Sequence, residues 1–328
     1  MARLTNILSL NVGMSSNLAG LTTLLSVNPV DLILLQEIRI SDEQINATLG
    51  RLGYTAVVNI DMDSPTSPGT AVAWKNIFSE VEVFTLIKCR CQMIKLGVIS
   101  FINIYAPSGS SKRHERNVFF GEDIFRALSL VPKGSFFLSG DFNCVLSPRV
   151  IENGAGFNQK QCNALKDLIF SFDLIDAFRT KWPNKEEFTF FRQGKAASRL
   201  DRFYVPSSYP GLLSIRHVPS LSDHCAIVLQ VHMDVRISIS ERQKRSTYWK
   251  LNTAILRDDE FLPSFKSLWK DLEKSQDNMT DIAAWWDIPV KPAIKQFCVS
   301  FSQHRKLVRR DTVKFLLSYL KTVLSENN

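Results

Sequence analysis

The chain has 328 residues, of which 45% are hydrophobic, a net charge of +8 and a mean hydropathy of −0.04. That is enough apolar material for a large core, in one big domain with an appendage or in two domains. No apolar run approaches the roughly 20 residues of a membrane helix, and the opening "MARLTNILSLNV" lacks a signal-peptide layout; a soluble, intracellular protein with no membrane partner is expected.

Short apolar runs dominate the first 234 residues and predict strands over 7–12, 31–37, 56–60, 70–74, 80–87, 97–107 and 135–143, then 188–191, 199–205, 212–218 and 225–233. Several are nearly continuous in apolar character, as in strands covered on both faces. Helical spacing appears at 17–27, at 112–130 with Ser111 as its N-cap, and at 158–171. This alternation predicts an α/β fold, two packed sheets with helices outside. Six cysteines are scattered, with Cys89 and Cys91 spaced like two residues on one strand face. Without paired Cys/His clusters, reduced thiols and no zinc site are expected, and Cys144 reads as packing.

After Met233 the texture changes to a polar, basic stretch and then to helical spacing. A boundary is expected at about 235, with 235–328 a helical extension. The charge is uneven across it: 23 basic against 21 acidic residues over 1–234, and 17 against 11 over 235–328. "ERQKR" (241–245) and "HRKLVRR" (304–310) suit a polyanionic partner or nuclear entry, or are solvated faces. Trp249, Trp269, Trp285 and Trp286 read as docking residues.

One pattern recurs in the first 234 residues: apolar strands end in polar side chains. "ILSLN" ends at Asn11, "LILLQE" at Glu37, "FINIY" at Tyr105, "FFLSGDFN" with Asp141 and Asn143, and "SRLD" with Asp201. "SLSDHCAIVL" places Ser222, Asp223 and His224 immediately before a buried strand. Each alone could be a loop cap, since Ser and Asp favour turns. Six such endings form an inventory with chemical content, because ligands in layered α/β folds gather where strand ends meet loops. Glu37 and Asn11 offer oxygen ligands to a hard cation, Asp141 and Asn143 could hold and deprotonate a water, and His224 and Tyr105 are donors for a phosphoryl oxygen. Together they fit metal-assisted phosphoester hydrolysis. Ser222, Asp223 and His224 are consecutive, which excludes their acting as a nucleophile triad.

"LNV", "LLQE", "NIYAP", "SGDFN", "RLDR" and "SDH", in this order, resemble the endonuclease/exonuclease/phosphatase superfamily over residues 4–232. Within it, "NIYAP", "LSGDFN", "FTFF", "ASRLDRFYV" and "SDHCAIVL" are most similar to endonuclease domains of LINE-type non-LTR retrotransposons, and "YWKLNTAILRDDEFLPSF" resembles the helical segment that follows them. The resemblance implies a two-sheet sandwich of the DNase I-like type and an Mg²⁺-dependent endonuclease, with Mn²⁺ a possible substitute. It implies that double-stranded DNA is nicked to a 3′-hydroxyl that primes reverse transcription. The reverse transcriptase portion of the same polyprotein and its RNA are then partners, with synthesis in the cytoplasm and action in the nucleus.

By the same resemblance Glu37 is the main metal ligand, with Asn11 beside it and Asp223 nearby. Asp141 activates water or protonates the leaving group, Asn143 positions the nucleophile, Tyr105 and His224 bind the scissile phosphate, and Asp201 orients His224. Thr189 and Ser222 fall where phosphate contacts or supporting residues occur. Two positions depart from the pattern: Asn11-Val12-Gly13-Met14 lacks the usual further polar residue, and Thr189 stands where apurinic-site enzymes tend to have Asn. The loop "RQGKAAS" with Arg192, Lys195 and nearby Arg199, followed by Arg202, is expected to contact a DNA groove. Alternative readings are a same-fold phosphodiesterase on another substrate, such as an apurinic site, an RNA tail, sphingomyelin or an inositol phosphate, and a non-catalytic binding module.

Overall fold

The computed structural model describes residues 3–13, 18–61, 63–64, 67–132, 134–148, 151–152, 162–192, 196–209, 211–233, 251, 253–276 and 282–326. Elements follow in chain order as β1 (Arg3–Asn11), α1 (Ala19–Val27), β2 (Leu32–Ile38), α2 (Asp42–Leu49), β3 (Tyr54–Asn59), β4 (Gly69–Lys75), β5 (Val81–Ile87), β6 (Cys91–Leu96) and β7 (Ile99–Tyr105). Next come α3 (Arg113–Val118), a widened turn over Phe119–Ile124 leading into α4 (Phe125–Ser129), β8 (Phe136–Asp141), α5 (Asn163–Ser171), β9 (Leu174–Asp176), α6 (Ala177–Lys181), β10 (Asp201–Pro206), β11 (Leu212–Val218) and β12 (Ala226–Met233). The extension holds α7 (Phe261–Gln276), α8 (Ile282–Trp285) and α9 (Lys291–Glu326).

Two six-stranded sheets form the expected sandwich, in the orders β11-β12-β1-β2-β4-β3 and β5-β6-β7-β8-β10-β9. Most pairs are antiparallel, but β1 with β2 and β7 with β8 are parallel. Each parallel pair therefore delivers two strand ends to the same edge of its sheet. Between the sheets lies a core that includes Ile7, Leu32, Leu34, Val72, Phe101, Phe137, Phe203 and Leu229, all buried. A second core, with Ile102, Leu138, Phe120, Phe142 and Leu165 among its members, seals the outer face of the second sheet under the 119–124 turn, α4 and α5. Strands covered on both faces explain the continuous apolar runs in the sequence.

Several elements depart from expectation. Strand β6 was not predicted because Gln92 and Lys95 interrupt its apolar run; Gln92 is nonetheless buried and donates to Val57 O across the sandwich at 3.3 Å. The 188–191 segment is not a strand: Phe190 makes single bridges to Ser198 and to His224. Cys89 sits in a turn at φ 62°, so it does not share a strand face with Cys91. Residues 110–112 form a tight 3-10 turn, and Ser111 caps nothing. Helix α2 was missed although "SDEQ" carries its signature. Ser41 accepts from Gln44 N while the Gln44 side chain accepts from Ser41 N, a complete capping box.

The described residues fall into two compact units, one within 1–240 together with 316–328 and the other within 241–315. The boundary expected at 235 and the basic run 241–245 lie outside the described residues, as does Trp249. Within 241–315, Ile255, Phe261 and Cys298 bury one small cluster, and Leu272, Trp285 and Val290 another, flanked by Trp269. No helix among the described residues is long and apolar enough to cross a membrane.

Gly140 explains the glycine in "SGDFN". Its φ is +134°, and a Cβ there would lie 1.9 Å from Ile104 O on the neighbouring strand. Gly140→Ala is expected to destabilise the protein by about 4 kcal/mol or more, in the range reserved for steric failure at a special backbone position. Urea unfolding of the variant measures this, and a loss under about 1 kcal/mol would contradict it.

Candidate active site

The two parallel pairs and the antiparallel β10 bring the polar strand ends to one edge of the sandwich. Across the second sheet, Tyr105 pairs with Asp141 and Asp141 with Asp201, so three adjacent strands present these candidate residues side by side. On the first sheet, Asn11 pairs with Gln36 next to Glu37, and His224 stands just before β12, which pairs with β1. Hydrogen bonds then close the gap between the sheets.

Asp141 is almost completely buried and accepts three N–H donors. Asn11 Nδ2 from the opposite sheet donates to its Oδ2 at 2.9 Å, Asn143 Nδ2 to the same oxygen at 3.1 Å, and Asn143 N to Oδ1 at 2.9 Å. Asn143 reaches this position at φ 47° and also donates to Ala106 O at 3.0 Å. Burial, reinforced by the charge of Asp201, pushes the Asp141 carboxyl up to about 7. Its proton-accepting strength near neutrality suits a general base.

His224 Nδ1 lies 2.8 Å from Asp201 Oδ2, and Nε2 is 4.0 Å from Asp141 Oδ2. Burial disfavours the imidazolium, but the Asp201 charge and hydrogen bond, with Asp141 behind them, raise its pKa to about 10. The ring is thus a cation at neutral pH, with Nδ1–H fixed on Asp201 and Nε2–H left as a donor. Asp201 is held in turn by Thr189, whose hydroxyl donates at 2.6 Å and accepts from Leu200 N and Asp201 N, both at 3.1 Å. Backbone bonds from the 189–191 segment run to Ser198 on one side and to Asp223 and Cys225 on the other, which fixes Asp201 and His224 relative to each other. Phe190 covers the imidazole at 5.0 Å between centroids.

Glu37 occupies a bulge in β2, between Gln36 opposite Thr70 and Ile38 opposite Gly69, at φ 58°. The bulge re-aims its carboxylate outward, where Tyr105 Oη donates to Oε1 at 2.8 Å. Burial and the adjacent Glu37 charge push the Tyr105 pKa well up, so the phenol keeps its proton. Arg90 lies over the Tyr105 ring at 4.7 Å. A cavity of about 890 Å³ opens here, walled by Glu37, Tyr105, Asn143, Asp223 and His224, with Phe190, Leu221 and Arg192 at its sides.

The cavity offers carboxylate oxygens from Glu37 and Asp223, a donor set that fits a hard divalent cation. Asp141, Asp201 and His224 also lie close enough to hold an ion, their ligand atoms within 4.8 Å of one another. They are already paired among themselves, however, while Glu37 and Asp223 border open space. Asn11, expected as a ligand, is fully buried with its amide committed: Nδ2 donates to Asp141, and Oδ1 accepts from Gly13 N at 2.9 Å. Ser222 donates to Asn11 O at 2.8 Å and its oxygen takes His224 N at 3.0 Å, so it ties β1 to the histidine.

Two expected DNA contacts are corrected. Arg199 is 2% exposed, its fork closed on Asp176 at 2.6 and 3.2 Å, and Arg202 is 1% exposed, donating to Cys144 O at 2.9 Å and Arg199 O at 2.7 Å. Both guanidinium groups brace the loop behind Asp201 from inside and reach no substrate. Arg192 is exposed at the cavity rim, and Lys195 lies outside the described residues. Phe190, Gln36 and Asn103 belong to the site's framework and were not singled out from sequence; aromatic and amide residues inside apolar runs carry no local signal of such a role.

Residues 8–224 match the model of the endonuclease/exonuclease/phosphatase family, and the chain belongs to that family. Over 211 residues it is 28% identical to the "Transposon TX1 uncharacterized 149 kDa protein" of Xenopus laevis, a match covering 62% of this chain and 15% of that protein. The chain thus spans a small part of the length of that relative. Among solved structures, the AP endonuclease LMAP from Leishmania major superposes with a TM-score of 0.58 at 20% identity, covering 71% of this chain and 89% of the other. The endonuclease domain of TRAS1, a telomere-specific non-LTR retrotransposon, does so with a TM-score of 0.52 at 16% identity, covering 70% and 99%. These likenesses establish a shared two-sheet fold.

The His224–Asp201 pair makes a direct prediction. Its stabilisation is complete below about pH 6.5, the ordinary histidine value, and is lost as pH rises through about 10. By NMR, His224 should titrate near 10 in the native protein and markedly lower in Asp201→Asn, where burial remains and the largest raising charge and its hydrogen bond are gone. A native value near 6.5 would contradict the assignment.

Proposed function

We propose that this chain is a divalent-metal-dependent DNA endonuclease that nicks one strand of a duplex by phosphodiester hydrolysis. The observation that carries this reading is the buried Asp141 carboxylate beside the His224 imidazolium. One group accepts a proton near neutrality and the other presents a fixed positive donor. Glu37, with Asp223, would hold Mg²⁺, or Mn²⁺ in its place. When bound, such a cation supplies charge to the phosphoryl oxygens and to the departing 3′-oxygen.

Asp141 takes the proton of the attacking water, which Asn143 helps to place. His224 Nε2–H meets a non-bridging phosphate oxygen, and the protonated Tyr105 offers a second donor at the same cavity. Asp201 and Thr189 keep the imidazole charged and oriented throughout. As the new P–O bond forms, the bond from phosphorus to the 3′-oxygen breaks, and that oxygen takes a proton from solvent at the open cavity; the products are a 5′-phosphate and a 3′-hydroxyl, the end that primes reverse transcription at the target. The likeness to a transposon protein of which this chain covers 15% supports a place in a longer polyprotein. Its reverse transcriptase portion and RNA are the partners on this reading, with action in the nucleus.

Relaxation of supercoiled plasmid tests the chemistry. The intact chain should nick with Mg²⁺ and not with EDTA, while Asp141→Ala and His224→Ala should each be slower by roughly 10³-fold. Binding without cutting would favour a non-catalytic module, and cutting confined to abasic oligonucleotides would favour a repair nuclease. Replacing Arg192–Lys195 with a neutral turn should move the nick positions on a sequenced duplex. An unchanged pattern would remove the loop from target choice.

A further inference from the structure

The bulge that aims Glu37 into the cavity has no support within its own strand. Glu37 sits at a positive φ, a conformation unfavourable for a residue with a Cβ, and the ladder to β4 is interrupted there. Its neighbour Gln36 is completely buried, and Gln36 Nε2 donates to Asn103 Oδ1 of the opposite sheet at 2.6 Å and to Ser9 Oγ on β1 at 3.2 Å. Asn103, also completely buried, donates back across the gap to Leu35 O at 2.9 Å and to Ala71 O at 3.0 Å. One amide of β7 thus grips both strands that flank the bulge.

This grip lies two residues before Tyr105 on β7 and one residue before Glu37 on β2. Successive same-face residues on a strand are neighbours, so Asn103–Gln36 and Tyr105–Glu37 form consecutive rungs between the sheets. The outer rung is functional and opens on the cavity; the inner rung is sealed from water. A buried amide pair in an apolar core carries a desolvation cost that its hydrogen bonds must offset; here both NH2 groups make theirs while Gln36 Oε1 has no partner among the described residues, and the pair ties β7 to the strands at the bulge.

We propose that Gln36 and Asn103 are positioning residues for the cation held by Glu37: they hold the strained bulge so that its carboxylate stays pre-aimed before any ion arrives. The proposal rests on the reading of Glu37 as a metal ligand. Neither residue touches the cation. They act through the backbone of residues 35–37, as outer-shell partners do in other metal sites, where their loss weakens binding by roughly 10- to 100-fold.

Direct Mn²⁺ binding to the full chain, followed by the paramagnetic signal of the free ion, provides a readout independent of turnover. Four variants are compared with the native protein: Asn103→Ala, Gln36→Asn, Glu37→Gln and Val231→Ala. Gln36→Asn keeps an amide but shortens its reach, and guards against a misfolded Asn103→Ala. Val231 is a control for general loosening, because it is buried in the same inter-sheet core but lies opposite Thr5 on β1, towards the end of β12 away from His224. The expected result is a Kd raised about 10-fold or more in Asn103→Ala and Gln36→Asn, with Val231→Ala unchanged in Kd even where its unfolding midpoint falls as far. If Glu37→Gln weakens Mn²⁺ binding while Asn103→Ala and Gln36→Asn match the native Kd, the positioning role is overturned and the ligand assignment survives. Equal weakening in Val231→Ala would also overturn it, by reducing the effect to general loosening. A native Kd in Glu37→Gln would remove the ligand assignment itself, and this proposal with it.

Discussion

The contact between His224 and Asp201 is the constraint on which the rest of this site depends. Two carboxylates, Asp141 and Asp201, are buried at the ends of paired strands within reach of one imidazole. Without a cation between them such a pair would repel and one member would stay protonated. The imidazolium makes the cluster tenable, and amide and hydroxyl donors from Asn11, Asn143 and Thr189 take up oxygen lone pairs. Removing one partner from a buried ion pair costs about 3–5 kcal/mol. The same interactions that assemble the cluster therefore also hold the strand ends in place.

That cluster is one of several hydrogen-bonded links between two sheets whose shared core is otherwise apolar. Asn11 to Asp141, Tyr105 to Glu37 and Gln36 to Asn103 each join a strand of one sheet to a strand of the other. A sandwich held by apolar contact alone leaves the relative slide of its sheets weakly specified. Side-chain bonds of fixed length specify it to within a fraction of an ångström. The positive φ values of Glu37 and Asn143 show where local backbone preference yields to that requirement. Gly140 shows the opposite solution, a residue chosen because two strands approach too closely for a Cβ.

The layered fold and the polar residues along one of its edges were legible because both leave periodic marks. Apolar runs of strand length gave most of the strands, and polar residues at their ends stand out against such runs. What escaped was set by partners distant in sequence. Arg199 and Arg202 look like surface cations in a polar loop, yet Asp176, in a three-residue strand too short to read, closes on Arg199 and buries it. Gln92 broke the pattern of β6, and is buried all the same because its Nε2 donates across the sandwich to Val57 O. Asn11 reads as an open oxygen ligand until Asp141 is seen to claim its amide from the opposite sheet. The capping box of α2 is different: its signal was local and complete in "SDEQ".

The reaction proposed for this site is attack of water on phosphorus, with Asp141 taking its proton and the 3′-oxygen leaving. Nicking a duplex in ¹⁸O-labelled water and analysing both new ends tests this most directly. The expected ends are a free 3′-hydroxyl that a polymerase extends without treatment, and a 5′-phosphate carrying one solvent oxygen. A 3′-phosphate, or a 5′-phosphate without label, would contradict it.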